Sequence, residues 1–202
     1  MAAPSRIRPI VAGETALLII DAQNWVMEEG NHGSRPEFYE DAHGQAIPNI
    51  ARLIASCRTV GIEVVYTVVE NLTADGRDRS LDYKLSDFFV PKGSHGARVI
   101  GALAPAEDEL VLPKTSSSLW NSTTFDYLMR NIGIDTIIAT GFLTDQCVDH
   151  AIRDGADRGY HMICAADACA TDTRARHAAA LTAFKGYCRM ETTESLLAAL
   201  PG

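Results

Sequence analysis

The segment DTIIATGFLTDQCVDHAIRDGADRG, residues 135–159, contains the pattern on which the predicted fold rests. An apolar run rich in β-branched residues ends at Gly141, and a segment with helical spacing follows it as far as Gly159. Such a run is typical of a strand that is buried on both faces, and glycine commonly follows the last residue of a helix. We therefore predict a strand, a short turn and a helix, with Cys147 in the first turn of the helix.

The same alternation recurs along the chain. Further apolar runs that suit buried strands occupy residues 16–21, 62–69, 109–114 and 160–167, with a possible last strand in 187–193. Segments with helical spacing occupy residues 47–61, 123–133 and 174–186. Strands that alternate with helices indicate a parallel sheet with helices on both faces and right-handed crossovers. The predicted fold is α/β, a three-layer α/β/α, Rossmann-like arrangement with a mainly parallel sheet of about six strands, in a single domain covering residues 1–202.

The composition narrows the classes of partner. The 202 residues are 47% hydrophobic and carry a formal net charge of −8. This charge argues against a nucleic acid or an anionic membrane as the main partner, because a basic surface is needed to attract either. The N-terminal segment has no apolar stretch long enough for a signal peptide, and no segment approaches the roughly 20 apolar residues of a membrane span. We expect a cytoplasmic protein.

The cysteines do not form a structural framework. They number five, are irregularly spaced and include no CxxC pair. This arrangement favours neither a set of disulfides nor a zinc site. We expect reduced thiols, most of them packed in the core.

Chemically reactive side chains follow the predicted strands. Asp21 ends the first strand, Lys114 ends the third, and Cys147 follows the fourth after a short turn. The carboxyl ends of parallel strands lie along one edge of the sheet, where ligands bind, so we expect these three side chains to converge there. Glu70 ends the second strand at the same edge. Each also has a structural interpretation when taken alone, as a turn or cap, an exposed side chain or a packed thiol.

An acid, an amine and a thiol at one edge predict nucleophilic catalysis by sulfur. A helix N-terminus and the cation of Lys114 are expected to lower the pKa of Cys147, so that the thiolate forms before a substrate binds. Asp21 can take the thiol proton and deliver it to a leaving nitrogen, while Lys114 balances the negative charge. Free backbone N–H groups at the start of the helix would stabilise the oxyanion. The predicted reaction is acyl transfer to sulfur followed by hydrolysis.

Residues 70–94 interrupt the alternation. This segment is long, polar and without clear periodicity, whereas connections in α/β folds usually have about 2 to 6 residues. Phe88 and Phe89 lie in it, and we predict that they close over the site and exclude water if the segment is a lid.

Three segments resemble the isochorismatase-like cysteine hydrolase family, in particular its amidohydrolase branch: LLIIDAQNWV (17–26), VLPKTSSSLWNST (111–123) and ATGFLTDQCVDHAIRDGADRGY (139–160). The resemblance implies that Asp21, Lys114 and Cys147 are the catalytic triad. It also implies a cis peptide bond between Phe142 and Leu143, which turns the Leu143 N–H, together with that of Cys147, toward the oxyanion. Proteins that resemble this family are often dimers or tetramers, and we expect a homodimer or a homotetramer here.

Two departures from related patterns restrict the expected substrate. Isochorismatases proper typically lack the nucleophilic cysteine, and nicotinamidases carry metal-binding histidines after the second strand, where this chain has VVENLTADG (68–76). We therefore expect no metal and no cofactor. The expected substrate is a small linear amide, ureido or carbamoyl compound, such as ureidoacrylate, carbamoylsarcosine or a biuret-like molecule, from which ammonia is released. The resemblance makes five residues candidates for substrate contact, with packing or simple exposure as the alternative for each: Asn24, Trp25, Glu70, Trp120 and Asn121.

Other functions stay open at this point. Within the family, a nicotinamidase-like or isochorismatase-type activity is the alternative. A dinucleotide-dependent oxidoreductase is disfavoured because IIDAQNWVM (19–27) has no G-x-G-x-x-G turn after the first strand. A non-catalytic binding or redox-sensing protein on the same scaffold would have an unreactive Cys147. His150 lies one helical turn after Cys147, but we expect its ring to point away from a nucleophile at the start of the helix.

Overall fold

The centre of the protein is a sheet of six parallel strands. The computed structural model describes residues 5–201, without the side chains of residues 29–31. The strand order is β3-β2-β1-β4-β5-β6, and every neighbouring pair is parallel. The predicted parallel sheet is confirmed, and its winding reverses between β1 and β4. The strands are β1 (Thr15–Ile20), β2 (Glu63–Val69), β3 (Leu110–Lys114), β4 (Thr136–Phe142), β5 (His161–Ala170) and β6 (Arg189–Glu191).

Helices connect the strands and cover the sheet. Two π-helical turns, Ala42–Ala46 and Thr144–Val148, directly precede α2 and α6. The four predicted helical segments correspond to α2, α5, α6 with its π-helical turn, and α7, whereas α1, α3, α4 and α8 are not predicted. The helices of the described part are α1 (Pro36–Asp41), α2 (Ile47–Val60), α3 (Leu81–Leu85), α4 (Leu119–Ser122), α5 (Phe125–Asn131), α6 (Asp149–Asp157), α7 (Arg174–Phe184) and α8 (Thr193–Ala199).

Alternate side chains of β1 enter two separate cores. Leu17 and Ile19 pack in one core with apolar residues of α2 and α8. Leu18 and Ile20 pack in the other with residues of α5, α6 and α7. Because successive side chains of a strand point to opposite faces, this division places helices on both faces of the sheet. The three-layer α/β/α architecture is confirmed.

Gly141 lets β4 pass close to β1. Its φ is 108°, and a Cβ atom at this position would lie only 2.1 Å from the carbonyl oxygen of Ile20. Only glycine adopts such a backbone readily and leaves the required space. The ends of β1 and β4, which carry the segments with Asp21 and Cys147, therefore stay adjacent.

The aperiodic segment 70–94 is packed against the rest of the protein. Ser80 caps the short helix α3, its hydroxyl accepting the Tyr83 N–H at 3.2 Å. Tyr83 is buried, and the ring of Phe88 lies 5.3 Å from it and 5.2 Å from that of Trp25. Phe89 remains partly exposed. The segment thus brings one of its two phenylalanines to the predicted site, and its movement as a lid stays a prediction.

Among residues 5–201, no helix is long and apolar enough to cross a bilayer. The single domain covering residues 1–202 stays a prediction, and residues 1–4 and 202 of that range lie outside the described residues.

Buried thiols make the stability of the fold sensitive to alkaline pH. Burial raises the pKa of Cys57 and of Cys188 from 9.0 to about 12. The unfolded chain therefore loses these protons above pH 9, whereas the folded chain keeps them until the pH approaches 12. The resulting stabilisation is fully present below pH 9 and is lost as the pH rises toward 12, by about 1.4 kcal/mol per pH unit for each thiol.

We expect Tm, measured in a series of thermal melts, to fall progressively above pH 9, the ordinary pKa of these thiols. The fall should be less steep in the Cys57→Ala variant, which has one buried thiol fewer. An identical pH dependence of Tm in the two proteins would contradict this explanation.

Candidate active site

The carboxyl ends of three strands bring an acid, an amine and a thiol into contact. The Lys114 Nζ lies 2.9 Å from the Asp21 Oδ2 and 3.3 Å from the Cys147 Sγ. All three residues are buried: Asp21 is 2% exposed, Lys114 0% and Cys147 7%. The convergence expected from the ends of parallel strands is therefore present in the structure, at the point between β1 and β4 where the winding reverses.

Asp21 is held by the neighbouring strand β2. Its backbone has a positive φ of 53°, and its N–H donates to the carbonyl oxygen of Thr67 at 3.0 Å. The Thr67 hydroxyl donates to the Asp21 Oδ1 at 3.1 Å. One carboxylate oxygen thus accepts from Thr67 while the other faces Lys114, so the orientation of the carboxylate is fixed from both sides.

Gln23 braces the loop that follows Asp21. Its side chain accepts the Val69 N–H at 2.6 Å and donates to the carbonyl oxygens of Val69 and Gly96 at 3.0 and 2.9 Å. Gln23 is fully buried and its amide is occupied by these backbone groups. It therefore supports the loop and the end of β2.

Lys114 is completely enclosed by polar partners. Besides Asp21 and Cys147, its Nζ donates to the Tyr83 hydroxyl at 3.1 Å and to the Ser116 carbonyl oxygen at 3.1 Å. Burial by itself would lower the pKa of Lys114, but the carboxylate of Asp21 and the other acidic neighbours raise it well above its ordinary value. The side chain is therefore a permanent cation in the middle of the site.

Tyr83 is a site residue that the sequence does not reveal. It comes from α3, in the aperiodic segment 70–94, and nothing in the pattern of that segment marks one aromatic residue above the others. Burial raises the pKa of Tyr83 above its ordinary value, so its hydroxyl keeps its proton. The hydroxyl oxygen accepts from Lys114 and helps to hold the ammonium group in place.

Cys147 lies in a π-helical turn that is anchored at both ends. The turn follows Leu143, whose carbonyl oxygen accepts the N–H groups of Gln146 and Val148 at 3.0 and 3.2 Å. The peptide bond between Phe142 and Leu143 is cis. The side chain of Asp145, in the same turn, accepts the Thr171 hydroxyl at 2.5 Å.

The expectation of a low pKa for Cys147 is wrong. Burial and the charge of Asp21 raise the pKa of this thiol from 9.0 to about 12, and the opposing effect of Lys114 is smaller. The physical reason is that the charge of Lys114 is already balanced by Asp21, so ionisation of the thiol would leave an uncompensated negative charge away from water. The thiol is therefore protonated in the resting protein.

A cavity of 320 Å³ opens onto Cys147, at the small end of the range for ligand sites. Asp21, Tyr83 and Cys147 lie at its reactive side. Trp25, a predicted substrate contact, and Leu143, a predicted oxyanion donor, also line it. The apolar part of the wall consists of Trp25, Val26, Val69, Phe88, Phe142 and Leu143.

Four of the predicted substrate contacts, Asn24, Glu70, Trp120 and Asn121, do not line this cavity, and a contact of each with a substrate stays a prediction. The Asn24 side chain donates to the His95 carbonyl oxygen at 3.0 Å. The Glu70 carboxylate accepts the Gly93 N–H at 2.6 Å and lines a separate surface depression. Hydrogen bonds to the backbone of Gly93 and His95 thus hold both side chains outside the cavity.

The two candidates after Lys114 are turned away by helix α4. Trp120 is buried in the second core, where its Nε1 donates to the Ala151 carbonyl oxygen at 3.0 Å. Asn121 is exposed and borders a different depression. Adjacent positions of a helix point in different directions, so the short sequence distance to Lys114 does not bring either side chain to the cavity.

His150 takes no part in the cavity. It is exposed, and its Nδ1 lies 2.9 Å from the carbonyl oxygen of Gln146 one turn earlier.

Within the described residues, no group of three or more His, Cys, Asp or Glu side chains is arranged to hold a metal ion.

The Tyr83→Phe variant is expected to lose about 10-fold in kcat, because Lys114 would lose one of the partners that fix its ammonium group. The phenyl ring keeps the packing, so Tm should remain close to that of the wild type. Tyr127→Phe, at a position that is 70% exposed, is the matched control. Equal kcat values for the two variants would contradict a role for the Tyr83 hydroxyl.

The sequence of this chain is similar to those of known proteins. The isochorismatase domain family matches residues 15–195. The ureidoacrylate amidohydrolase RutB of Methylorubrum extorquens is 31% identical over 183 residues, which cover 82% of this chain and 74% of that protein.

Two solved structures are also similar. A cysteine hydrolase from Pseudomonas syringae pv. phaseolicola has a TM-score of 0.82 at 25% identity, covering 98% of both chains. An isochorismatase family protein from Desulfovibrio vulgaris has a TM-score of 0.79 at 28% identity, covering 91% of this chain and 96% of that one.

Proposed function

Because the chain belongs to the isochorismatase family, we propose that it hydrolyses a small linear amide or ureido compound through Asp21, Lys114 and Cys147 and releases ammonia. It is a cysteine hydrolase that acts on carbon–nitrogen bonds other than peptide bonds. The observation that carries the proposed roles is the contact of the buried thiol with the Lys114–Asp21 ion pair beside the cavity.

Charge balance determines how the nucleophile forms. In the resting site the cation of Lys114 balances the carboxylate of Asp21, and the thiol is neutral. Transfer of the thiol proton to Asp21 gives a neutral carboxyl group and a thiolate, which Lys114 then balances at 3.3 Å. The total charge of the buried site is the same before and after the transfer. Loss of the proton to water would instead leave the site with a net negative charge, which a buried environment disfavours.

The first half of the reaction forms a bond between carbon and sulfur. The Cys147 thiolate attacks the carbonyl carbon, and the carbonyl π electrons move to the oxygen. The N–H groups of Leu143 and Cys147 are the proposed donors to this oxyanion. When the tetrahedral intermediate collapses, the carbon–nitrogen bond breaks, the nitrogen takes the proton from Asp21, and ammonia leaves.

The second half restores the thiol. Asp21, again a carboxylate, accepts a proton from a water molecule that attacks the thioester carbon. The carbon–sulfur bond then breaks, and the thiolate recovers the proton from Asp21. An amide yields a carboxylic acid by this route, and a ureido compound yields a carbamate.

A panel of ureido, carbamoyl and carboxamide compounds, with nicotinamide included, tests the proposal by ammonia release in the presence of EDTA. We expect ammonia from at least one linear ureido or carbamoyl compound and no dependence on added metal ions. Absence of ammonia from every linear compound, or activity only after a metal ion is restored, would contradict the proposal.

Assembly into a homodimer or a homotetramer and a cytoplasmic location also remain proposals. Leu81 and Leu85, which are 71% and 78% exposed, lie one helical turn apart on α3 and support a contact between subunits. Light scattering of the purified protein distinguishes these states from a monomer.

A further inference from the structure

Arg35 is the cation in the wall of the cavity. It follows the 3-10 turn Glu29–Ser34 and precedes α1, and its side chain is 22% exposed. No other described residue of the wall is positively charged. The ammonium group of Lys114 is already surrounded by Asp21 and its other partners, so Arg35 is the group available to a negatively charged ligand.

The guanidinium group of Arg35 is held in place from behind. Its Nε donates to the Asp172 Oδ1 at 2.6 Å, and its Nη1 donates to the Val26 carbonyl oxygen at 3.4 Å. The group lies over the ring of Phe38, with 4.1 Å between the guanidinium carbon and the ring centroid. Within the described residues its Nη2 has no hydrogen-bond partner. A fixed planar cation with free N–H donors is suited to bind a carboxylate.

Asp172 does not compete for those donors. Its second oxygen accepts Arg176 Nη1 at 2.6 Å, so both carboxylate oxygens are occupied and its charge is shared by two guanidinium groups. Asp172 thereby fixes Arg35 through Nε and leaves the Nη2 end free for a ligand.

Arg35 and the cysteine turn are connected by two packed rings. Phe38, under the guanidinium group, lies 5.2 Å from the ring of Phe142, which directly precedes Leu143. The cavity between them has 320 Å³ and an apolar wall that includes Trp25 and Phe88. A short aliphatic chain fits such a wall, with polar groups at its ends.

We propose that Arg35 binds a carboxylate of the substrate, so that the preferred substrates are short linear ureido or amide acids. This inference rests on the proposed amide hydrolysis and specifies the substrate class of the same site. Arg35 determines specificity: it contributes to substrate binding and takes no part in proton transfer or bond cleavage at Cys147.

Two ureas that differ in charge test this inference: 3-ureidopropionate, which carries a carboxylate, and n-butylurea, which carries an alkyl group of similar length. We expect the wild-type kcat/KM to favour the acid by about 10-fold or more, as for a charge-assisted hydrogen bond. In Arg35→Gln this preference should disappear through a higher KM for the acid, while the values for n-butylurea remain close to wild type. Arg35→Lys should retain part of the preference.

The matched control is Arg174→Gln, because Arg174 is exposed and pairs with Glu40 and Asp41 outside the cavity. It should keep the wild-type preference for the acid. Equal kcat/KM for the two ureas in the wild type, or an unchanged preference in a folded Arg35→Gln variant, would overturn the role of Arg35 while leaving amide hydrolysis intact. Absence of ammonia from both ureas and from the whole panel would overturn the proposed function and this inference with it.

Discussion

Replacement of Cys147 by alanine is expected to lower the rate of ammonia release by about 10⁴-fold or more, because the variant lacks the sulfur that forms the proposed acyl intermediate. Cys147→Ser should be nearly as inactive, since a serine hydroxyl in the same place is much less acidic than a thiol. Asp21 and Lys114 remain paired in both variants, so we expect the fold and its Tm to be retained.

The control for this experiment is Cys57→Ala, which removes another fully buried thiol, from α2 in the opposite core. It should keep wild-type turnover, although its stability changes. Intact-mass measurement during turnover should detect an adduct on the wild type and none on Cys147→Ala. Substantial ammonia release by Cys147→Ala would rule out the thioester route.

Asp21→Asn is expected to change activity and thiol reactivity in opposite directions. Turnover should fall by about 10³-fold, because asparagine cannot accept the proton of Cys147 or deliver it to the leaving nitrogen. At the same time the pKa of Cys147 should fall, since the charge and hydrogen bond of Asp21 raise it and the cation of Lys114 lowers it. Without Asp21, a thiolate becomes the group that balances Lys114.

Alkylation by iodoacetamide at neutral pH measures the second effect. The wild-type thiol should react slowly, because it is protonated, and the Asp21→Asn thiol should react faster. Slow alkylation of the free wild-type protein therefore does not indicate a non-catalytic protein. Full turnover in Asp21→Asn, or slower alkylation than in the wild type, would contradict the proposed proton transfer.

The strands and the three reactive residues were predictable from the sequence for the same physical reason. Strands buried on both faces need continuous apolar runs, so β1, β2 and β4 begin and end within one or two residues of the predicted positions. In a parallel sheet the residues after such runs must share one edge. Asp21 and Lys114 could thus be placed near the cysteine turn although they are far apart along the chain.

What could not be predicted depends on packing between distant segments. Tyr83 reaches Lys114 on a helix of five residues inside an aperiodic segment, too short for any periodicity to show. The sequence makes Glu70 a candidate for substrate contact, but it does not reveal that the Gly93 N–H donates to the Glu70 carboxylate outside the cavity. The sequence predicts a low pKa for Cys147 because it indicates a neighbouring cation. It does not indicate how completely water is excluded from the thiol, and this burial raises the pKa.

The double role of the segment 70–94 has a consequence for protein engineering. Phe88 of this segment lines the cavity, and the hydroxyl of Tyr83 accepts a hydrogen bond from Lys114. Loop grafting or directed evolution aimed at a new substrate would therefore also change the hydrogen bonding of the Lys114 ammonium group, on which turnover depends. Libraries that randomise this segment should keep position 83 as tyrosine, so that selectivity can be varied separately from catalytic power.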